Sequence, residues 1–115
     1  MTVRFNFPPT LRLRKRAEFL SLSQEGIKAH QAHFLLIYRN RADGARRFGV
    51  TVSRKVGNAV TRNRVKRIVR EFCRHAVAVP PADYSIIARK GAGSLGCAAL
   101  HRELEQVFGQ VSQAG

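Results

Sequence analysis

Acidic residues are scarce in this chain. Its 115 residues hold 7 Asp plus Glu against 21 Lys plus Arg, a net charge of +14. Glu71 is the only acid between Asp43 and Asp83. The clustered carboxylates with which a protein nuclease would hold two metal ions are therefore not visible, and no catalytic or metal-binding side chain is proposed. Cysteine is sparse too: Cys73 and Cys97 lack the spacing of a zinc knuckle and read as reduced packing residues. Among the histidines, His30 and His33 would point to opposite faces if they shared a strand, while His75 and His101 fall on different helices, so neither a zinc site nor a general-base pair is expected. Long apolar runs are also missing. Phe34-Leu35-Leu36-Ile37-Tyr38 is far too short to cross a bilayer. No charged leader with an apolar stretch and a small-residue cleavage site precedes the domain, which makes a cytosolic protein without a membrane partner the expectation. There is no internal repeat and no low-complexity segment.

The positive charge is plentiful and unevenly placed. Self-repulsion of this size disfavours the compact state unless an anionic partner offsets it, and nucleic acid leads the classes of partner. Ser53 to Arg70 packs seven cations into eighteen residues without one acid. Its second half is apolar at helical spacing. With Val65 at zero and about 100° per residue, Ile68, Val69, Phe72 and Ala76 fall within roughly 60° of it. Asn63, Lys66, Arg67, Arg70 and Arg74 fall on the opposite side, with Arg62 and Arg64 on the flanks. A charged helical face is ordinarily just solvated. Here ten Lys or Arg stand against one acid between Gly44 and Val79, so salt bridges along the helix cannot account for the charge.

The remaining chain alternates between short elements. A helix is expected from about Lys15 to Gln24, marked by Ala17, Phe19 and Leu20 and closed by Gly26. Ile27 to Ala29 reads as a short strand and His33 to Arg39 as a strongly apolar one, with a turn at Asp43-Gly44. Arg47 to Ser53 alternates, with Phe48, Val50 and Val52 on one face and Gly49, Thr51 and Ser53 on the other. The basic helix should fade near Val77, before Pro80-Pro81. Asp83 to Lys90 is a further strand, and Leu100, Leu104, Val107, Phe108 and Val111 form the inward stripe of a closing helix. Residues 1–13, with Pro8-Pro9, read as a basic extended arm on one domain spanning 1–115. The pattern is that of an α+β sandwich.

Gly91-Ala92-Gly93-Ser94-Leu95-Gly96 fits GxGxxG after a strand and before a helix, the setting of a dinucleotide site. Nineteen residues follow Gly96, too few for the helix, second strand and ribose-binding acid of such a unit. A turn with Ser94 as helix N-cap is the better reading.

Phe48-Gly49-Val50-Thr51-Val52-Ser53-Arg54-Lys55-Val56-Gly57-Asn58-Ala59-Val60, followed by Arg62-Asn63-Arg64-Val65-Lys66-Arg67, resembles the signature of the protein subunit of bacterial ribonuclease P. Leu11 to Phe19 is similar to that family's N-terminal arm and first helix, and Asp83 to Lys90 to its last strand; the likeness covers about residues 7 to 110. It implies a single-domain, two-layer α+β fold of order αβββαβα, with a left-handed strand-helix-strand crossover against the usual rule. It also implies a cytoplasmic ribonucleoprotein. In that reading a large catalytic RNA with bound magnesium removes the 5′ leader of precursor tRNA, and the protein, needing no protein partner, assists this endonuclease.

The resemblance also carries roles by position. Arg62, Asn63, Arg64, Lys66, Arg67 and Arg70 match the family's conserved helix and would contact the catalytic RNA, with Arg54 and Lys55 extending that surface. The leader would lie in a cleft between this helix and the sheet, where Phe19 matches an aromatic; stacking there is worth about 1–3 kcal/mol per base. Core packing is the other reading of Phe19. The chain departs from the pattern at Ser23, where many relatives have a second aromatic, and at Ile37, where some have a tyrosine. Stacking would then be weaker, or rest more on Phe34, Val50 or Val52. A ribosomal or other structural RNA-binding protein without a role in cleavage would share the charge and much of the fold.

Overall fold

A computed structural model describes residues 16–44, 46–75 and 79–111 of the chain. The arm at 1–13 and the side chain of Phe19 lie outside what is described. Helix α1 (Arg16–Glu25) leads to β1 (Ile27–His30), β2 (Phe34–Asn40) and β3 (Arg47–Val52); α2 (Ala59–Arg74), β4 (Ala82–Ala88) and α3 (Cys97–Phe108) follow. The order αβββαβα of the sequence reading is the one observed.

The four strands form one sheet in the order β1-β2-β4-β3. β2 pairs antiparallel with β1 and with β4, while β3 and β4 run parallel, Phe48 opposite Tyr84 and Val52 opposite Ala88. Parallel neighbours need a crossover connection, and α2 supplies it. Glycine closes α1 as expected, through a 2.7 Å bond from the Gly26 N–H to the Leu22 carbonyl. His30 and His33 do not share a strand: the first ends β1 and the second precedes β2.

The alternation in β3 sets its two faces. Phe48 and Val52 join Phe34, Leu36 and Tyr38 of β2 and Tyr84 and Ile86 of β4 on one side, under Val65, Ile68 and Val69 of α2 and Leu100, Leu104 and Val107 of α3. Tyr84 sits at the centre of this core, fully buried, its ring 5.2 Å from that of Phe48 and 5.3 Å from that of Phe108. Burial pushes its phenol up to about 12, and the hydroxyl donates to the Pro80 carbonyl. Burial likewise raises the Cys73 thiol far above its ordinary range, so this cysteine is an inert packing residue.

The two-layer packing that was expected describes α2 and α3 on the sheet. Helix α1 adds a layer on the other face, where Leu22 packs on Ile37 with Leu35 and Ile87 beside it. At one end of that face a cross-strand row places Asp83 between Arg39 and Arg47. The Asp83 side chain is 3% exposed. Arg47 donates to it from Nε and Nη2 at 2.9 and 3.0 Å, and Arg41 from Nη1 at 3.1 and 3.2 Å. Burial alone would raise this carboxyl; the hydrogen bonds and charges of Arg47 and Arg41 outweigh it and hold it below the ordinary aspartate value.

Candidate nucleic-acid interface

The C-terminal end of β3 runs into a 3-10 turn (Arg54–Val56) whose one buried side chain is Val56. Anchored by Val56, the turn leaves Arg54 and Lys55 exposed. Gly57 follows at φ 156°, and a Cβ there would stand 2.9 Å from Thr61 Cγ2. Asn58 then caps α2, its side-chain oxygen accepting from the Thr61 N–H at 2.9 Å. A cap of this kind is worth about 1 kcal/mol. The helix carries no acid in its first turn, and Arg62 follows directly after it.

The wheel geometry holds. Val65, Ile68, Val69 and Cys73 are the buried residues of α2, while Asn63 and Arg67 are exposed and Arg62, Lys66, Arg70 and Arg74 half-buried. Among the described residues, Asp83, Asp43, Glu25 and Glu103 pair with Arg47, Arg41, Arg39 and His33, none of them on α2. These pairs leave Arg62, Lys66, Arg67 and Arg70 of α2 to an outside anion. Arg62 adds a second sign. Its Nε is buried with no hydrogen-bond partner among the described residues, a cost of about 1–3 kcal/mol that an acceptor on a bound molecule would offset.

Arg64 behaves differently from its neighbours. Its Nη2 donates to the carbonyls of Gly93 and Leu95, at 3.2 and 2.7 Å. These belong to the Gly91–Gly96 loop, which packs so tightly on the α2 junction that a Cβ at Gly93 would fall 2.4 Å from the Val56 carbonyl oxygen and 2.6 Å from Thr61 Cγ2. This close approach, rather than a nucleotide phosphate, accounts for the second glycine of the GxGxxG match. Ser94 is not the N-cap of α3; it ends a 3-10 turn (Ala92–Ser94), and Gly96 takes the cap position.

The residues named for a leader cleft are not gathered into one. Phe34 is 0% and Val52 7% exposed, both in the core beneath α2 and α3, and Val50 packs against that core. Phe34 and Val52 are enclosed there, and Val50 is half-buried. Phe19 lies on α1, which covers the opposite face of the sheet, because β4 inserts between β2 and β3 and fixes which face the helices after β3 can cover. On that opposite face Ile37 is buried against Leu22, whereas Ser23 is exposed.

Sequence reasoning passed over Arg89 and Lys90. They continue β4 past Ala88, which pairs with Val52; the Arg89 guanidinium turns toward β1, 3.0 Å from the His30 ring nitrogen Nδ1, while Lys90 leaves the sheet beside the Arg54-Lys55 turn. Only the parallel register reveals this. Among the described residues no group of three His, Cys, Asp or Glu could hold a metal ion. Nor is any helix among them long and apolar enough to cross a membrane.

A family model described as Ribonuclease P matches residues 7–112. The chain belongs to the ribonuclease P protein family. It is 48% identical over 105 residues to the ribonuclease P protein component of Geotalea uraniireducens, covering 90% of this chain and 93% of that one. With the corresponding protein of a Geobacter species it shares 42% over 107 residues, 92% of each chain. The ribonuclease P protein of Staphylococcus aureus has the same fold at a TM-score of 0.80 and 32% identity, over 86% of this chain and 93% of that one. That of Thermotoga maritima, in complex with 1-(4-fluorophenyl)-2-thiourea, matches at a TM-score of 0.81 and 29% identity, over 88% and 100%. Family membership decides for the ribonuclease P reading over that of a ribosomal or other structural RNA-binding protein, and with it come RNA binding and tRNA processing.

Proposed function

We propose that this chain is the protein cofactor of a tRNA-processing ribozyme in the cytoplasm, holding the catalytic RNA through α2 and the 5′ leader of precursor tRNA through the face that α1 covers. The observation that carries the first half is the cationic side of α2, whose buried side is core and whose Arg62, Lys66, Arg67 and Arg70 enter none of the ion pairs seen among the described residues. Arg54, Lys55, Arg62, Asn63, Lys66, Arg67 and Arg70 are the contacts assigned to it. Each lies on or beside a helix fixed by its cap and its core stripe, so the charges are presented in a set geometry rather than on a mobile tail. Phosphodiester hydrolysis is assigned to the RNA and its magnesium ions. The protein's part is to raise substrate affinity and to lessen the magnesium requirement by supplying fixed positive charge.

The leader is assigned to the α1 face because Phe34 and Val52 are enclosed on the other. Phe19 belongs to the helix on that face, and stacking on an aromatic ring suits leaders of varied sequence.

Reconstitution tests the reading. Purified protein alone is expected to leave precursor tRNA uncut, while protein plus the ribonuclease P RNA cleaves it at low magnesium far faster than the RNA alone. The gain should shrink when the leader is trimmed to one or two nucleotides. Equal cleavage with and without the protein would sink the proposal, and a gain indifferent to leader length would remove its second half.

A further inference from the structure

Two connections leave the carboxyl ends of the parallel pair β3 and β4, and both are basic. From the last register pair, Val52 opposite Ala88, two steps along β3 reach Arg54 and two along β4 reach Lys90. Arg54, Lys55 and Lys90 are all exposed. Beyond Lys90 the chain turns at Gly91, φ 97°, through the 3-10 turn Ala92–Ser94 into α3. Backbone bonds from the Ala92, Ser94 and Leu95 N–H groups to the Arg89, Gly91 and Ala92 carbonyls, with Ala92 fully buried, shape this connection. What ties it to α2 is Arg64, reaching across to the Gly93 and Leu95 carbonyls, together with the contact of Gly93 on Val56 and Thr61.

We propose that Arg64 is a positioning residue: it locks the Gly91–Gly96 loop to the start of α2, so that Lys90 stands level with Arg54 and Lys55 on one surface for the phosphodiester backbone of the catalytic RNA. The proposal rests on the reading of α2 as the RNA-binding helix. Phosphates along an RNA strand have a fixed spacing, so cations on two separate connections serve one strand only if their separation is fixed as well. Arg64 does this from within the basic helix. Its charge satisfies two backbone carbonyls with charge-assisted hydrogen bonds, which are the stronger kind. Losing it loosens the loop that follows Lys90 directly, without removing a phosphate contact of its own.

A double-mutant cycle tests this, using the full chain and ribonuclease P RNA, with affinity measured across a salt series and Arg67→Ala as reference. Lys90→Ala is expected to weaken binding and to flatten the plot of log affinity against log salt by about 0.7–0.9, the value of one phosphate contact. Arg64→Ala should produce a loss of the same size, and Lys90→Ala placed on top of it should add nothing. Losses that add, each with its own change in slope, would make Arg64 a phosphate ligand and overturn the proposal. Wild-type affinity in Arg64→Ala, with only a lowered melting temperature, would reduce Arg64 to a structural residue and overturn it equally. If Lys90→Ala is silent while Arg67→Ala is not, this inference fails alone; if both are silent, the reading of α2 fails with it.

Discussion

Arg67→Ala offers a direct measure of how the basic helix works. Arg67 is exposed on α2, opposite the core stripe, and its loss removes a charge while leaving the packing of Val65, Ile68 and Val69 in place. If Arg54, Lys55, Arg62, Lys66, Arg67 and Arg70 each neutralise one phosphate, six contacts at about 0.7–0.9 apiece give a slope of log affinity against log salt near −4 to −5. Deleting one lowers the magnitude by about 0.7–0.9, so a fourfold rise in salt costs the variant about threefold less affinity than it costs the wild type. Titration of labelled ribonuclease P RNA between about 50 and 200 mM monovalent salt reads the slope directly. Arg47→Ala is the control, because two of its nitrogens are committed to the buried carboxylate of Asp83 on the far face of the sheet. Its slope should match the wild type. An unchanged slope in Arg67→Ala, or an equal change in both variants, would refute the assignment of the comb to phosphates.

Three further outcomes are expected. Asp83→Asn should destabilise the protein by about 2–4 kcal/mol in urea, the low side of a broken buried pair because Arg41 and Arg47 keep some solvent contact. The native carboxyl lies below its ordinary 3.8, so its stabilisation is whole above about pH 5 and is lost as the pH falls through the native value; a wild-type advantage that persists undiminished into strong acid would contradict the mechanism. Arg62→Met should weaken RNA binding without lowering the stability of the free protein, since it deletes a buried unpaired Nε, and a loss above about 1 kcal/mol in thermal unfolding would show that the group is satisfied after all. Phe34→Ala should cost about 3–5 kcal/mol of stability from a fully buried site, and a variant of native stability with a specific loss of leader affinity would return Phe34 to the leader.

The sequence spoke clearly where a pattern was local. The stripe at Val65, Ile68 and Val69 has the helical period, and Phe48, Val50 and Val52 have the strand period, so both elements and their inward faces could be read directly. Asn58, which caps α2, carried a start signal that the sequence reading did not use. What could not be read was pairing between distant segments. Nothing in Asp83 to Lys90 says that this strand inserts between β2 and β3, yet that insertion decides that Phe34 and Val52 face α2 and α3 and that α1 takes the other side. The same register brings Lys90 beside Arg54. The bonds of Arg64 to the Gly93 and Leu95 carbonyls were hidden for a related reason: a helical wheel gives the direction of a side chain, not what stands at the end of its reach.

The crossover role of α2 has a mechanical consequence. The helix proposed to hold the RNA is spliced into the backbone between two neighbouring parallel strands, β3 and β4, one of them at the edge of the sheet. Tension applied through bound RNA would therefore run along the main chain into both strands at once, loading their hydrogen-bonded seam in shear, where the bonds share the force. Grip on the RNA and integrity of the sheet edge thus lie on one load path.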